Sequence, residues 1–366
     1  MPSRTGAVLL VAGLLACCWT SSALAQTLPA FEQLGVRTAP TFVAAYAGWT
    51  AWSEYTAGSR RFRLVVRRPD GRLVRPRVAS RPVSFDLDLG RGSRGAPTLV
   101  YSRCQHDAAV QPIPLQRSFG RGCRLVALRA GSSRERPVTP TLGSVDHPAI
   151  WGGRVVYARH RGRRTSVVAR SARTGATRSL YRTTGLVTRL DLHGRRALYN
   201  TYVAKQGSQL RTQVIGERSR VRDSQPAGDS GLGYVVGASL SGSRAAWLPI
   251  RLSTSGSVGE LTIIDLGSNS KRTVGTSALI GDIALDGDQL IVDLGPGTRQ
   301  EVTTTSCTPP PTGETPNCIA RQRIAPGPPG QARASRRGAQ REPSHRALAG
   351  TGSLSAGRLR PRAIRW

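Results

Sequence analysis

Seven aspartates stand where short apolar segments begin or turn, and their carboxylates are the groups in this sequence best suited to chemistry. They are Asp86, Asp88, Asp146, Asp191, Asp282, Asp286 and Asp288. Carboxylates brought together could hold Ca²⁺ through hard oxygen ligands, or could serve as an acid and base pair for glycan cleavage. The same groups could instead cap turns and pair with arginines, which is a structural role. The choice depends on the elements that position them.

Those elements follow from a repeat, in which an apolar strand enters a short, usually glycine-bearing turn and leaves it as a second apolar strand. The six copies are 45–52, 85–101, 149–157, 190–199, 238–247 and 283–292. Their predicted turn glycines are Gly48, Gly90, Gly153, Gly194, Gly242 and Gly287, at intervals of 42, 63, 41, 48 and 45 residues. Spacing of about 40 to 45 residues is typical of propeller blades.

A second strand pair with a tight turn follows five of these copies. These hairpins are predicted over 63–77, 124–138, 166–180, 211–221 and 260–274. For the sixth copy, the outer pair is predicted as 301–307 and 318–324, around a proline-rich loop. Pair plus hairpin makes four strands, which is one blade. The sequence therefore predicts an all-β fold, a six-bladed β-propeller of four-stranded antiparallel blades over residues 42–325.

In a propeller, the loops that lead into the innermost strands surround the mouth of the central channel. Four of the aspartates are therefore expected to converge there with a histidine, each from its own blade. These candidate residues are Asp86, Asp146, His147, Asp191 and Asp282. If they meet, they could act as a hydrolase or lyase centre or bind Ca²⁺. The sequence Asp286-Gly-Asp288 lacks the further acidic ligands of a calcium loop, so it is interpreted as a turn and no metal site is assigned.

The segments 150–157 and 283–292 resemble the TolB-like, or WD40-like, propeller repeat, in which a strand ends in an Asp-Gly or glycine-rich turn. The stretch 85–90, followed by 99–104, resembles exported propellers of high-GC actinobacteria. The resemblance covers roughly residues 42–325. It implies extracytoplasmic binding or scaffolding, with enzymes as a minority of the family.

Residues 1–25 read as an export signal, because Arg4 precedes an apolar run that ends in the small residues Ala23-Leu24-Ala25. The run is too short to span a bilayer, and no transmembrane helix is expected after signal removal. An alternative processing site, Leu14-Leu15-Ala16-Cys17, would leave Cys17 acylated. Residues 26–41 are a lead-in segment. Residues 326–366 are rich in Arg, Pro and Gly and are predicted to form a disordered basic tail.

Outside the signal, four cysteines fall into two local pairs, Cys104 with Cys123 and Cys307 with Cys318. In an exported protein, an even set of this kind indicates disulfides, and although three connectivities are possible, each local pair brackets a predicted long loop. A metal site is not favoured, because the Cys-x-x-Cys spacing of metal ligands is missing.

The net charge of +32 comes from 53 basic residues, of which only Lys205 and Lys271 are lysine. A skew of this size favours a GC-rich codon supply over a nucleic-acid-binding surface, and the arginines are spread over all blades. The charge will still attract anionic polymers or anionic lipid in a salt-dependent way. Dedicated nucleic-acid binding is not favoured.

Together these patterns predict an exported β-propeller, secreted or associated with the cell envelope and possessing no cofactor. It would act as a non-catalytic binding or scaffold module for a protein or envelope polymer. Two alternatives stay open: a channel-mouth hydrolase or lyase, and a polyanion-binding surface protein.

Overall fold

The computed structural model describes residues 32–37, 41–108, 119–203, 205–226, 233–253, 256–276, 280–294 and 317–323. Within these residues the chain forms 24 β-strands and one short 3-10 helix, Ala57–Ser59. The strands are arranged in six four-stranded antiparallel sheets. The first strand along the chain is β1 (Glu32–Arg37). Among the described residues, no helix is long and apolar enough to cross a membrane.

Five sheets are blades built from four consecutive strands each. Blade I contains β2 (Val43–Tyr46), β3 (Trp49–Thr56), β4 (Arg61–Arg67) and β5 (Leu73–Val74). Blade II contains β6 (Asp88–Arg91), β7 (Pro97–Arg103), β8 (Arg124–Arg129) and β9 (Glu135–Pro137). Blade III contains β10 (Ser144–Trp151), β11 (Arg154–Arg161), β12 (Arg164–Ser171) and β13 (Thr177–Thr183).

The next two blades repeat this pattern. Blade IV contains β14 (Leu186–His193), β15 (Arg196–Val203), β16 (Gly207–Val214) and β17 (Arg220–Gln225). Blade V contains β18 (Gly233–Ser241), β19 (Arg244–Ser253), β20 (Gly256–Asp265) and β21 (Lys271–Thr276). All five predicted strand pairs and downstream hairpins of these blades are present, which confirms an all-β propeller of four-stranded antiparallel blades.

The last sheet is composite, and here the prediction of six blades of consecutive strands is wrong. It contains β22 (Ile280–Asp286), β23 (Gln289–Leu294) and β24 (Asn317–Arg323), and its fourth strand is β1. The strand predicted at 318–324 is therefore third in its sheet, not outermost. It pairs with β1 from Glu32 opposite Arg321 to Arg37 opposite Asn317. Because an unpaired sheet edge exposes backbone donors and acceptors, β1 covers the edge that β24 would otherwise present.

The innermost strands of the six sheets are β2, β6, β10, β14, β18 and β22. Each contacts the innermost strand of the next sheet, and β22 contacts β2. The strands thus surround a central channel. At one end, Phe42, which comes just before β2, packs against His147 in the first half of β10. At the other end, the last residues of these two strands, Tyr46 and Trp151, pack against each other. We call these two ends of the channel the start end and the finish end.

Most predicted turn glycines are confirmed, but Gly90 is not a turn residue. It lies within β6, where a Cβ would come within 2.0 Å of the carbonyl oxygen of Ile150. No side chain fits between two backbones at that distance, so Gly90 allows β6 to approach β10 closely. The turn between β6 and β7 lies a few residues later and contains Gly95 at φ +81°.

The core lies between neighbouring sheets, where each cluster of buried side chains draws on two of them. Val100 and Leu125 of blade II, for example, pack with Tyr157 of blade III. Each blade contributes one fully or almost fully buried large aromatic side chain to these interfaces: Trp52, Tyr101, Tyr157, Tyr199 and Trp247. Aromatic residues of this size bury much apolar area, so they hold adjacent sheets together without a ligand.

The disulfide predicted between Cys104 and Cys123 is present and closes the long connection between β7 and β8. The other predicted pair cannot be followed, because Cys307 is outside the described residues. The signal segment 1–25, Cys17 and the tail 326–366 are also outside them.

Candidate functional site

The five residues predicted at the channel mouth all lie on innermost strands or immediately before one. Asp86 precedes β6, Asp146 and His147 lie on β10, Asp191 lies on β14 and Asp282 lies on β22. Four of the five are buried, with between 1% and 6% of their surface exposed, and Asp191 is partly buried. The structure therefore places them around the channel, but inside the packed protein.

At the start end of the channel, the Asp282 carboxylate already has hydrogen-bond partners within the protein. It accepts hydrogen bonds from the guanidinium of Arg189 and from Val43 N–H, the latter at 2.8 Å. The Arg189 guanidinium also lies 4.6 Å from the centre of the Phe42 ring, and that ring packs edge-on against His147. Burial raises the pKa of Asp282 to about 6, against the opposing effect of Arg189. These contacts fill the start end.

Asp146 belongs to a hydrogen-bonded series that the sequence analysis missed. His160 Nε2 lies 2.8 Å from Asp146 Oδ1, and His160 Nδ1 lies 3.1 Å from Thr165 Oγ1. His160 and Thr165 are directly opposite each other in the β11–β12 hairpin, a pairing that the short Gly162-Arg163 turn could have indicated. Although burial raises the pKa of Asp146, its interactions with His160 and His147 outweigh burial and lower it.

This series has the order of groups found in a Ser-His-Asp triad, yet it lacks access for a substrate. Thr165, His160 and Asp146 are all buried, with 2% to 6% of their surface exposed. The ring of Phe119 stacks on the imidazole of His160 at 3.7 Å and covers it. The series therefore ties together β10, β11 and β12 as a buried network.

The neighbouring histidine, His147, is also buried, and it has a left-handed backbone conformation at φ +45°. Burial lowers its pKa to about 4, with a further lowering by the positive charge of Arg189. His147 is therefore neutral at neutral pH.

Most of the channel aspartates accept backbone N–H groups from the innermost strand of the next sheet. Asp88 accepts from Ile150 N–H at 2.9 Å, and Asp191 accepts from Leu240 N–H at 2.6 Å. Asp282 accepts in the same way from Val43 N–H, and Asp286 accepts from Gly48 N–H at 2.7 Å, in the turn that follows β2. Burial raises the pKa of both Asp88 and Asp191. These carboxylates join one sheet to the next.

Asp86 differs because it bonds within its own blade. It accepts from Ser102 N–H at 3.0 Å and lies 3.5 Å from the guanidinium of Arg81, which is itself buried. Arg81 also donates to Asp107 at 2.7 Å. Burial raises the pKa of Asp86, and Arg81 opposes that effect.

The finish end of the channel is closed by aromatic rings. Trp151 lies between Tyr46 and His193, with ring centres 5.3 Å and 3.8 Å apart respectively. The cavity that the innermost strands line in the channel has a volume of about 30 Å³. That volume holds one or two water molecules, whereas sites for organic ligands occupy about 300 to 1,000 Å³. Among the described residues, no group of three or more His, Cys, Asp or Glu side chains is arranged to hold a metal ion.

A much larger recess, of about 760 Å³, lies outside the channel on blade II, flanked by residues of blades I and III. We call it the arginine recess. Its lining includes one indole and five guanidinium groups, from Trp49, Arg68, Arg94, Arg129, Arg134 and Arg136. The sequence does not show this recess, because its arginines come from separate turns and strands and do not form a run.

No family model matches the chain, and no curated protein matches it. Solved structures with a similar fold include TolB from Acinetobacter baumannii, at 10% identity and a TM-score of 0.46, with 77% of this chain and 65% of that chain covered. A puromycin hydrolase S511A mutant complexed with PGG matches at 16% identity and a TM-score of 0.45, with 71% of this chain and 51% of that chain covered.

A chain of a nidogen/laminin complex matches at 9% identity and a TM-score of 0.43, over 69% of this chain and 85% of that one. At these identities the likeness concerns the fold alone. In its arrangement of sheets, the chain has a β-propeller fold.

Proposed function

We propose that this protein is an exported, non-catalytic binding module of the cell envelope or extracellular space, and that its ligand occupies the arginine recess. The observation that carries the proposal is the contrast between the two cavities. The recess has a volume of about 760 Å³ and is open at the surface, whereas the cavity lined by the innermost strands of the channel has about 30 Å³. We further infer that the composite sheet acts as a sixth blade that closes the ring.

The channel residues support binding over catalysis because each channel aspartate already accepts hydrogen bonds from neighbouring strands or from an arginine. Asp191, for example, accepts hydrogen bonds from both Ser239 Oγ and Leu240 N–H of the next blade. A catalytic carboxylate must instead reach a substrate directly or through one water molecule. Export rests on the signal-like residues 1–25, and a protein with this route would meet envelope polymers and other exported proteins.

The test fills the recess without changing its charge. Ala96 and Ala172 both line it, and Ala172 is exposed, so Ala96→Trp and Ala172→Trp should fold and occupy the ligand space. We expect the double variant to lose sedimentation with envelopes isolated from the source cells, while Asp191→Asn retains it. Unchanged sedimentation of the filled variant would contradict the proposal.

The same samples test the hydrolase alternative. Mass spectrometry of the envelope supernatant should show no new fragments after incubation with the wild-type protein. New fragments that disappear with Asp191→Asn or Asp86→Asn would favour the channel enzyme instead.

A further inference from the structure

The arginine recess concentrates positive charge with no acid in its wall. Arg94 lies in the β6–β7 turn, Arg129 at the end of β8, Arg134 in the β8–β9 turn and Arg136 on β9. None of the described residues that line the recess is Asp or Glu. Several positive charges that line one recess without a negative charge favour an anionic occupant.

The acid nearest in sequence is turned away from this group. Glu135 stands between Arg134 and Arg136, and alternate residues of a strand point to opposite faces. The Glu135 carboxylate accepts hydrogen bonds from the Tyr101 hydroxyl and from Arg103 Nε, the latter at 2.5 Å. It is therefore neutralised on the other face of the blade, and Arg134 and Arg136 are left for the recess.

The recess arginines keep their donors available. Across the part of the chain that the structure describes, the guanidinium groups of Arg94, Arg129, Arg134 and Arg136 have no hydrogen bond or ion pair to a protein side chain. Arg68 lies 3.6 Å from Asp70, but both side chains are 46% exposed, so that pair contributes little. A guanidinium presents its donors in a planar fork that matches carboxylate and phosphate oxygens.

The turns that carry these arginines are held in place by backbone hydrogen bonds. In the β6–β7 turn, Gly92 N–H donates to Ala96 O at 2.8 Å. In the β8–β9 turn, Ser132 N–H donates to Arg129 O at 2.9 Å, and Arg134 N–H donates to Ser132 Oγ at 3.1 Å. Fixed turns reduce the entropy that a ligand must overcome when it orders the site.

Trp49 adds an apolar surface beside the charges. Its indole is partly buried, with the Arg68 guanidinium 5.6 Å from the ring centre and the Gly131 turn at its edge. Aromatic faces pack against the C–H faces of sugar rings. A ligand that suits this recess therefore combines a ring with several negative charges.

We propose that the arginine recess binds an acidic polysaccharide, a chain of sugar rings that carry carboxylate or phosphate groups. The proposal rests on the proposed function, which places the ligand in this recess. The volume suits a short segment of such a chain. A single-stranded nucleic acid fits less well, because successive bases need several stacking aromatics and Trp49 is the aromatic residue among the described lining.

The test compares two variants that lose the same charge. The recess variant carries Arg94→Gln, Arg129→Gln, Arg134→Gln and Arg136→Gln. The matched control carries Arg63→Gln, Arg124→Gln, Arg164→Gln and Arg182→Gln, four exposed arginines that do not line the recess. Affinity for polygalacturonate at physiological salt should fall by at least about 100-fold in the recess variant, because charge-assisted hydrogen bonds are lost, and by only a few-fold in the control.

Further probes separate the sources of charge and the role of the ring. Phosphorylated dextran should bind and unmodified dextran should not. Trp49→Ala should lower the affinity for both acidic polysaccharides by about tenfold, because an aromatic contact is lost. Circular dichroism and thermal unfolding establish that each variant folds.

Three results would overturn the assignment of ligand class. They are equal losses in the recess and control variants, tighter binding of oligodeoxythymidylate than of either acidic polysaccharide, and binding of unmodified dextran as tight as that of its phosphorylated form. If the filled variants lose envelope binding while no acidic polysaccharide binds, the ligand class is wrong and the binding function stands. If filling has no effect, the binding function itself fails.

Discussion

Arg189 is the residue on which the start end of the channel depends. It pairs with buried Asp282, packs over Phe42 and acts electrostatically on Asp88 and Asp191. The sequence analysis expected the aspartates to cap turns or pair with arginines if they were not catalytic. That expectation holds for Asp282. The sequence does not show that Asp191 accepts a hydrogen bond across blades, because its donor, Leu240 N–H, lies 49 residues away on the next blade.

Arg189→Met should destabilise the protein by about 3 to 5 kcal/mol, because it leaves the Asp282 carboxylate buried without its counter-charge. The double variant Arg189→Met, Asp282→Asn should recover part of that loss, since the carboxylate that lost its counter-charge is then removed as well. Urea unfolding of the single and double variants measures both values. A loss below about 1 kcal/mol in the single variant would show that this pair does not hold the start end.

His147 gives the stability a definite dependence on pH. Its pKa is lowered to about 4 in the folded protein, from 6.5. As the pH falls below 6.5, His147 therefore binds a proton in the unfolded chain, whereas in the folded protein it binds one only near pH 4. The stability that neutral His147 contributes is complete above pH 6.5 and is lost as the pH falls towards 4.

His147→Asn removes this titration and keeps a residue type that tolerates the left-handed backbone. Between pH 7 and pH 4, the wild-type protein should lose about 3 kcal/mol more of its unfolding free energy than the variant loses. Guanidinium titrations at several pH values measure it. A difference that does not change with pH would contradict the buried, neutral state of His147.

At the scale of elements, the five continuous blades follow from local signals in the sequence. Strand pairs around glycine turns and hairpins at Asp70-Gly71 or Thr174-Gly175 need only neighbouring residues. The composite sheet could not be found in this way, because β1 pairs with β24 across almost the whole chain. Gly90 was assigned to a turn for a related reason, since its actual constraint is the distant backbone of Ile150.

The arginine recess could not be predicted from the sequence, because charge composition does not show which arginines are paired. Arg103 and Arg136 are equivalent in a count of charges. In the structure, Arg103 pairs with Glu135, whereas Arg136 lines the recess. Glu135 and Arg136 are neighbours on β9, so their side chains point to opposite faces. Tyr101 and Arg103 both bond Glu135 on its own face, and Arg136 is left on the other.

Removal of β1 tests the closure of the composite sheet. A variant that begins at residue 38 should unfold about 5 °C or more below one that begins at residue 26, because β24 loses a strand partner. Its exposed edge should also promote self-association. Thermal unfolding and light scattering measure the two effects. Equal melting temperatures and equal masses would show that β1 is dispensable.

In the whole molecule, the channel and the arginine recess are two separate regions. The channel holds the sheets together through carboxylates that bond neighbouring strands, and its two ends are filled by side chains. Binding is assigned to the arginine recess, where fixed turns present charges that the chain itself leaves available. We therefore propose that stability and recognition depend on different residues, so that variants in one region should leave the other intact.

Hydrogen exchange with and without saturating polygalacturonate tests this separation most directly. We expect slower exchange at the turns 92–96 and 131–134 of the arginine recess, and unchanged exchange at the backbone amides of Val43 and Leu240, which donate to the channel carboxylates. Protection at those channel amides, or at the segments that lead into the innermost strands, with none at the recess turns, would contradict it.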